Sequence, residues 1–164
     1  MSGTRPPVDY IERTREQYAE LGYPPYRWAT NTGPPPWAPL RKPLAQCRVG
    51  LVASGGIYVE GQVAFHYKDD TSFRIVDIET PTRDLRATHF AYDLTDARSD
   101  VNVVFPIDTL RALAAERFIG GVSRNAYAFM GGIYSSRKVR DLFAPAIAEC
   151  IVKDEVDLAL LVPV

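Results

Sequence analysis

The 164 residues include only two cysteines, two histidines, two methionines and two tryptophans, and these scarcities exclude much. Cys47 and Cys150 lie far apart and fit no disulfide framework, so reduced thiols in a cytoplasm are expected. His66 and His89 never fall at ligand spacing with them, which argues against zinc. No apolar run reaches membrane-spanning length, and the opening Met1 to Pro7 lacks the basic-then-apolar pattern of a signal peptide. Charge of one sign is not in excess either: 19 basic residues face 20 acidic ones, for a net charge of −1. Neither a phosphate backbone nor an anionic bilayer is therefore expected as a partner, which leaves no nucleic acid and no membrane. The chain has no dinucleotide fingerprint, no phosphate-binding loop, no Gly-x-Ser-x-Gly elbow and no internal repeat.

What is present is an α/β pattern of one domain with an appended arm. Apolar residues make up 46% of the chain, enough for a real core. Nine of the 13 prolines precede Ala45, so residues 1–45 read as an N-terminal helix and a proline-rich arm. The helix is expected over Val8 to Leu21, with Ile11, Tyr18 and Leu21 on one face and Gly22 ending it. The arm is expected to be extended, with Tyr26, Trp28 and Trp37 as apolar anchors. It either straps across its own domain or clasps a second subunit.

Residues 46–164 read as the α/β domain. Cys47 to Ser54 predicts a buried strand that ends in a Ser54-Gly55-Gly56 turn, where backbone N–H groups could cradle an anion. Tight-turn geometry explains the glycines equally well. Glu60 to Asp70 is expected to be an exposed excursion, with His66 a packed surface side chain. Ser72 to Ile78 and Leu85 to Tyr92 predict extended pieces. Asp108 predicts a helix N-cap, with Leu110, Leu113, Ala114 and Phe118 on one face. Ile119 to Met130 predicts strand interrupted at Arg124-Asn125, and Ser136 to Lys153 a helix disturbed by Pro145. Val156 to Val164, almost wholly apolar after Asp157, predicts a returning strand covered on both faces. The whole implies a Rossmann-like three-layer sandwich with a mostly parallel sheet.

In such sheets the chemistry lies beyond the carboxyl ends of the strands. Asp93, Asp96 and Asp100 lack the glycine and terminal glutamate of a calcium loop, so a solvated acidic loop is the better reading. His89 with Tyr92 and Asp93 is the best polar group. An imidazole exchanges protons near neutral pH, and in an extended segment a carboxylate four residues on points the same way. A buried His–Asp hydrogen bond that only fixes a loop is the alternative, and both remain open.

At these residues the chain resembles a known family. Pro35-Pro36-Trp37, Pro39-Leu40, Lys42-Pro43-Leu44, His89 to Asp93, Asp100, Asn102 to Asp108, Leu110-Arg111, Ile119-Gly120 and Phe129-Met130-Gly131 together are similar to the selenoprotein B family. This family is the B component of glycine, sarcosine, betaine and D-proline reductases, with its shorter bacterial relatives. The similarity runs from about Pro35 to Val164. It implies reductive cleavage of a small-molecule substrate by a selenolate or thiolate, recycled by a dithiol electron-donor protein. It also implies that Ser54 to Gly56 and His89 to Asp93 line the mouth of the active site, so His89, Tyr92 and Asp93 are expected to be catalytic and Ser54, Gly55, Gly56 and Asn102 to bind substrate; the residue spacing above gives no metal.

In the family the strand matching Leu158 to Val164 is followed by a Cys-x-x-Cys-type motif whose first position can be selenocysteine. The expectation is therefore that this chain carries no cofactor of its own and stops at the codon for the catalytic residue. The selenocysteine or cysteine pair would then lie just beyond Val164, and a further cysteine codon two or three positions downstream. Neither Cys47 nor Cys150 fills the motif. A homo-oligomer is expected from the apolar surface left uncovered. The rival reading is a non-catalytic binding or assembly subunit that uses the proline arm and the sheet edge, and nucleotide binding ranks last.

Overall fold

The apolar run after Cys47 is the strand from which the rest of the sheet is built. The computed structural model describes residues 9–25, 27 and 29–164. β1 (Arg48–Ala53) and the short β2 (Ile57–Val59) are followed by β3 (Arg74–Asp77), β4 (Leu85–Ala87), β5 (Gly121–Val122), β6 (Asn125–Ala128) and β7 (Leu158–Val162). β5 and β6 run parallel to β1 on one side, and β7 runs parallel to it on the other. β3 completes the sheet antiparallel to β6. The α/β class and the mostly parallel sheet are thus as the sequence indicates. An interruption also appears, one residue earlier than Arg124-Asn125: Ser123 and Arg124 separate β5 from β6 along the same edge of β1, and Asn125 begins β6.

Alternation along β1 divides the core. Val49, Leu51 and Ala53 join Phe105, Ile107 and Leu110 on one face. Val52 joins Tyr127, Phe143 and Ile147 on the other. A period of two serves both faces because helices lie against each. On the first face α2 (Thr95–Ser99) supplies Ala97 and α3 (Ile107–Ala115) supplies Leu110. On the second, α4 (Ser136–Lys138) leads through a π turn (Val139–Phe143) into α5 (Ala144–Lys153). Pro145, with no N–H to continue an α-ladder, sits directly after the widened turn and inside the first turn of α5, where a proline costs little. Both cysteines are free. Cys47 is buried ahead of β1, its thiol turned to the Pro43 carbonyl at 3.4 Å, and Cys150 lies in α5.

A polar pin closes the amino ends of the strands. The Asp154 carboxylate, just past α5, accepts from the Tyr127 hydroxyl, from Asn125 Nδ2 at 3.1 Å and from Ser123 Oγ at 3.3 Å. Burial first, and then this carboxylate, raise the Tyr127 phenol well above its ordinary range. Asp154→Ala strands three donors and is expected to lower stability by about 2 kcal/mol, measured by urea unfolding. Tyr127→Phe should also blunt the fall in stability as pH rises past the ordinary tyrosine value of about 10, because a raised folded-state value stabilises only below it.

Four expectations are corrected. β7 is not covered on both faces: Leu160 is 37% and Leu161 67% exposed, because the strand pairs with β1 alone and forms the sheet edge. Asp108 is not the N-cap of α3 but a first-turn residue, with Pro106 in the capping position. Phe118 is off the helical face and 60% exposed, because α3 ends at Ala115 and Arg117 turns left-handed with φ 59°. Trp37 anchors nothing, being 82% exposed, and Tyr26 and Trp28 lie outside the described residues.

By contact pattern the chain divides into Met1–Pro36 and Trp37–Val164. In the first unit α1 (Tyr10–Glu20) is capped by Asp9, whose carboxylate accepts from the Glu12 N–H at 3.1 Å. The second unit holds the sheet and everything that follows. Among the described residues no helix is long and apolar enough to cross a membrane.

Candidate active site

The turn after β1 is held from four directions. Ser54 N–H donates to the Val162 carbonyl at 3.0 Å, and Gly131 N–H donates to the Ser54 carbonyl at 3.1 Å. Gly55 bridges Met130, and its carbonyl accepts from the Tyr92 hydroxyl at 2.8 Å. Gly56 N–H donates to the Phe129 carbonyl at 2.8 Å, while the Gly56 carbonyl accepts from Thr88 N–H at 2.9 Å. Two of these links explain why glycine is needed. Gly56 has φ +71°, and a Cβ there would lie 1.9 Å from the Thr88 carbonyl oxygen. A Cβ on Gly55 would lie 2.9 Å from the Val104 Cβ.

The antiparallel pairing of β2 with β4, Ile57 opposite Ala87, runs straight into the Thr88–Gly56 bond. It therefore delivers His89 to the carboxyl end of β1. The ring is packed beside Phe90 and Tyr92, with centroids at 5.7 and 4.7 Å. His89 Nδ1 accepts from Ala91 N–H at 3.0 Å. An accepting Nδ1 leaves the proton of the neutral ring on Nε2. That Nε2 is buried and has no hydrogen-bond partner. Burial lowers the imidazole's pKa, so the ring stays neutral at physiological pH. An NMR titration should give a His89 midpoint below the ordinary value of about 6.5. Because the folded-state value is depressed, the associated stability is fully present above the unfolded value of about 6.5 and lost as pH falls through the folded midpoint.

Ser54 Oγ lies close by. It accepts from Val164 N–H at 2.9 Å, and among the described residues its own hydrogen has no acceptor. Gly131 lies between the two groups. An atom at its Cβ position would be 3.4 Å from Ser54 Oγ and 3.7 Å from His89 Nε2. Glycine at 131 therefore lets the backbone pass close to the Ser54 hydroxyl and the His89 ring, where any side chain would crowd Ser54. A buried donor left without an acceptor is costly, so the unpartnered His89 Nε2 marks this end of β1 as a candidate site.

Of the residues singled out from sequence, Ser54, Gly55, Gly56, His89 and Tyr92 come together here. Asp93 and Asn102 hold the surroundings instead. Asp93 accepts from Thr95 N–H at 2.9 Å and from Thr95 Oγ1 at 2.7 Å, in the turn that leads into α2, and no hydrogen bond or ion pair joins it to His89. The segment bends at Phe90 to Tyr92, so the four-residue spacing of an extended chain does not apply. Thr95 first, then Arg98, hold the Asp93 carboxyl below the usual range. Asn102 accepts from Asp108 N–H at 2.9 Å and donates to the carboxylates of Asp100 and Asp108. It clamps the start of α3 and seats Val104 under Gly55. Arg111 extends the clamp to Asp108 and to the Ile78 and Thr80 carbonyls. Gly131 and Val164 were not among the expected site residues, since neither glycine nor a backbone N–H advertises a role in sequence. His66 lies apart, its Nδ1 accepting from Lys68 N–H at 3.2 Å. Among the described residues no group of three acidic, histidine or cysteine side chains could hold a metal ion.

Comparison with known proteins places this arrangement in a family. The model of the family described as glycine/sarcosine/betaine reductase selenoprotein B matches residues 30–163. A D-proline reductase subunit gamma from Acetoanaerobium sticklandii is 35% identical over 79% of this chain and 54% of its own length. Glycine reductase complex component B subunits gamma from Symbiobacterium thermophilum and Carboxydothermus hydrogenoformans are 33% and 31% identical, over 30% and 29% of their own lengths. The chain therefore spans about half the length of the first of these relatives and under a third of the other two. No solved structure matches. A match that takes in both the β1 turn and the His89 segment leaves one conclusion: the chain belongs to the glycine/sarcosine/betaine reductase selenoprotein B family.

Proposed function

We propose that this chain forms one wall of the active site of a selenol- or thiol-dependent reductase of a small substrate, in a Rossmann-like sandwich. The observation that carries the reading is the unpartnered, buried His89 Nε2 meeting the Ser54 hydroxyl about Gly131 at the carboxyl end of β1. The selenocysteine or cysteine pair expected past Val164 would supply the nucleophile and, through a dithiol donor protein, the electrons. The residues present fit that chemistry. Val164 is held by Ser54, so β7 leads directly to the unfilled donors. His89 and Ser54 donate hydrogen bonds to an electron-rich atom of the substrate, the neutral imidazole through its Nε2–H, which stabilises negative charge developing there. Tyr92 and Asp93 support this site, Tyr92 by fixing the Gly55 carbonyl and Asp93 by fixing α2.

The relatives are named as subunits of D-proline reductase and of glycine reductase complex component B. The test follows those names: the protein, produced with the sequence past Val164 that carries the redox pair, assembled with its partner subunits and given a dithiol, is offered D-proline, glycine, sarcosine and betaine. Reductive cleavage of one of them is the expected result. No turnover of any of them, with intact folding and assembly, overturns the reading and favours an assembly subunit.

The exposed apolar edge of β7 supports a homo-oligomer within a cytoplasmic complex. Leu161, 67% exposed, is the residue to change. Leu161→Glu should shift the sedimentation coefficient towards the monomer without lowering the melting temperature, and an unchanged distribution would contradict this assembly.

A further inference from the structure

A second depression lies behind the His89 segment, between the β2–β4 ladder and α2. Its volume is about 690 Å³, and its lining includes Arg83, Arg86 and Arg98 but only one carboxylate, Asp100. That volume suits a small molecule, not a lone ion.

The cations differ in how far they are satisfied. Arg86 is held firmly, donating to the Arg83 and Leu85 carbonyls at 2.7 and 2.8 Å and to Glu60 at 2.7 Å. Arg83 has only a loose ion pair with Asp84, at 3.8 Å. The Arg98 guanidinium makes no hydrogen bond or close ion pair among the described residues, and is felt at a distance by Tyr92 and Asp93. Asp100 is engaged elsewhere, accepting from Asn102 N–H and Nδ2, both at 2.9 Å. The hydroxyls of Thr88 and Ser99, also in the lining, have no protein partner among the described residues. The wall therefore presents fork-shaped cationic donors and free hydroxyls with little opposing charge, which is the chemistry that recognises an oxyanion.

We propose that this depression binds a small molecule through a phosphate or carboxylate group, with Arg98 and Arg83 as its primary contacts and Arg86 as the fixed floor. The site is independent of the Ser54–His89 site but shares its framework. Thr88 precedes His89 in the chain, and Arg98 acts on Tyr92, whose hydroxyl holds Gly55. Occupancy is therefore legible at the imidazole.

The test titrates the protein with pyrophosphate and, separately, with succinate, each against sodium chloride at equal ionic strength, following backbone amides and the His89 ring by NMR. The expected result is saturable shifts at Arg83, Thr88 and Arg98 with at least one of the two anions and not with chloride. The anion that saturates identifies phosphate or carboxylate as the group recognised. Arg98→Ala and Arg83→Ala should each weaken binding roughly tenfold or more. Both side chains are at the surface, so their variants should melt like the parent protein, and the Arg98→Lys variant should recover binding only in part. Shifts that chloride reproduces, saturation by neither anion, or binding indifferent to both alanine variants would each overturn the proposal.

Discussion

Replacing Gly56 by alanine is expected to destabilise the protein by about 3 kcal/mol or more, and to do so through backbone alone. The new methyl would meet the Thr88 carbonyl oxygen at 1.9 Å, while the residue is held at φ +71°. Neither fault can be relieved locally. Turning Gly56 out of the left-handed region breaks its bonds to Phe129 and Thr88, which join the sheet to the β2–β4 ladder. Moving Thr88 instead displaces His89. The effect should appear as a lower urea midpoint with an unchanged slope. Gly61, with φ +92° but nothing within 4 Å of its Cβ position, is the control. Gly61→Ala should cost only the conformational strain, about 1 kcal/mol. If both variants lose the same small amount, the packing of Thr88 on Gly56 is not what holds the turn.

The turn was legible in the sequence as a turn but not as a site. Ser54-Gly55-Gly56 after an apolar strand announces a tight reversal, yet the residues that give it meaning come from Thr88, Tyr92, Met130 and Val164. Those are long-range partners that no local pattern reports. Periodicity served well where burial follows it, as in β1, the interrupted β5–β6 line and the helical stretch before Lys153. It failed at β7, because an apolar composition records a preference for burial and says nothing of which strand takes the edge. It failed at Asp93 as well. The residue types were right for a His–carboxylate pair, but Asp93 bonds readily to backbone nearby, and its carboxylate is committed to Thr95 in the turn that leads into α2. Asn102 illustrates the same competition, its amide being committed to Asp100 and Asp108. The family resemblance reached further than the local rules because it combined His89, Asn102 and Gly131 before any contact among their surroundings was known.

The second large effect concerns His89. Its ring is partly exposed and packed on Phe90 and Tyr92, and its loss removes one bond to the backbone, from Ala91. The structural cost of His89→Ala is therefore expected near 1 kcal/mol. Its chemical role under the proposed reading is much larger, because a positioned hydrogen-bond donor to developing charge typically contributes about a hundredfold or more in rate. Stability and turnover should separate accordingly. The decisive measurement is kcat/KM of His89→Ala in the assembled reductase, set beside its melting temperature. A drop of about a hundredfold or more with near-parental melting is the predicted result. Parental turnover, or a loss of activity no greater than the loss of folded protein, would make the imidazole structural and contradict the account.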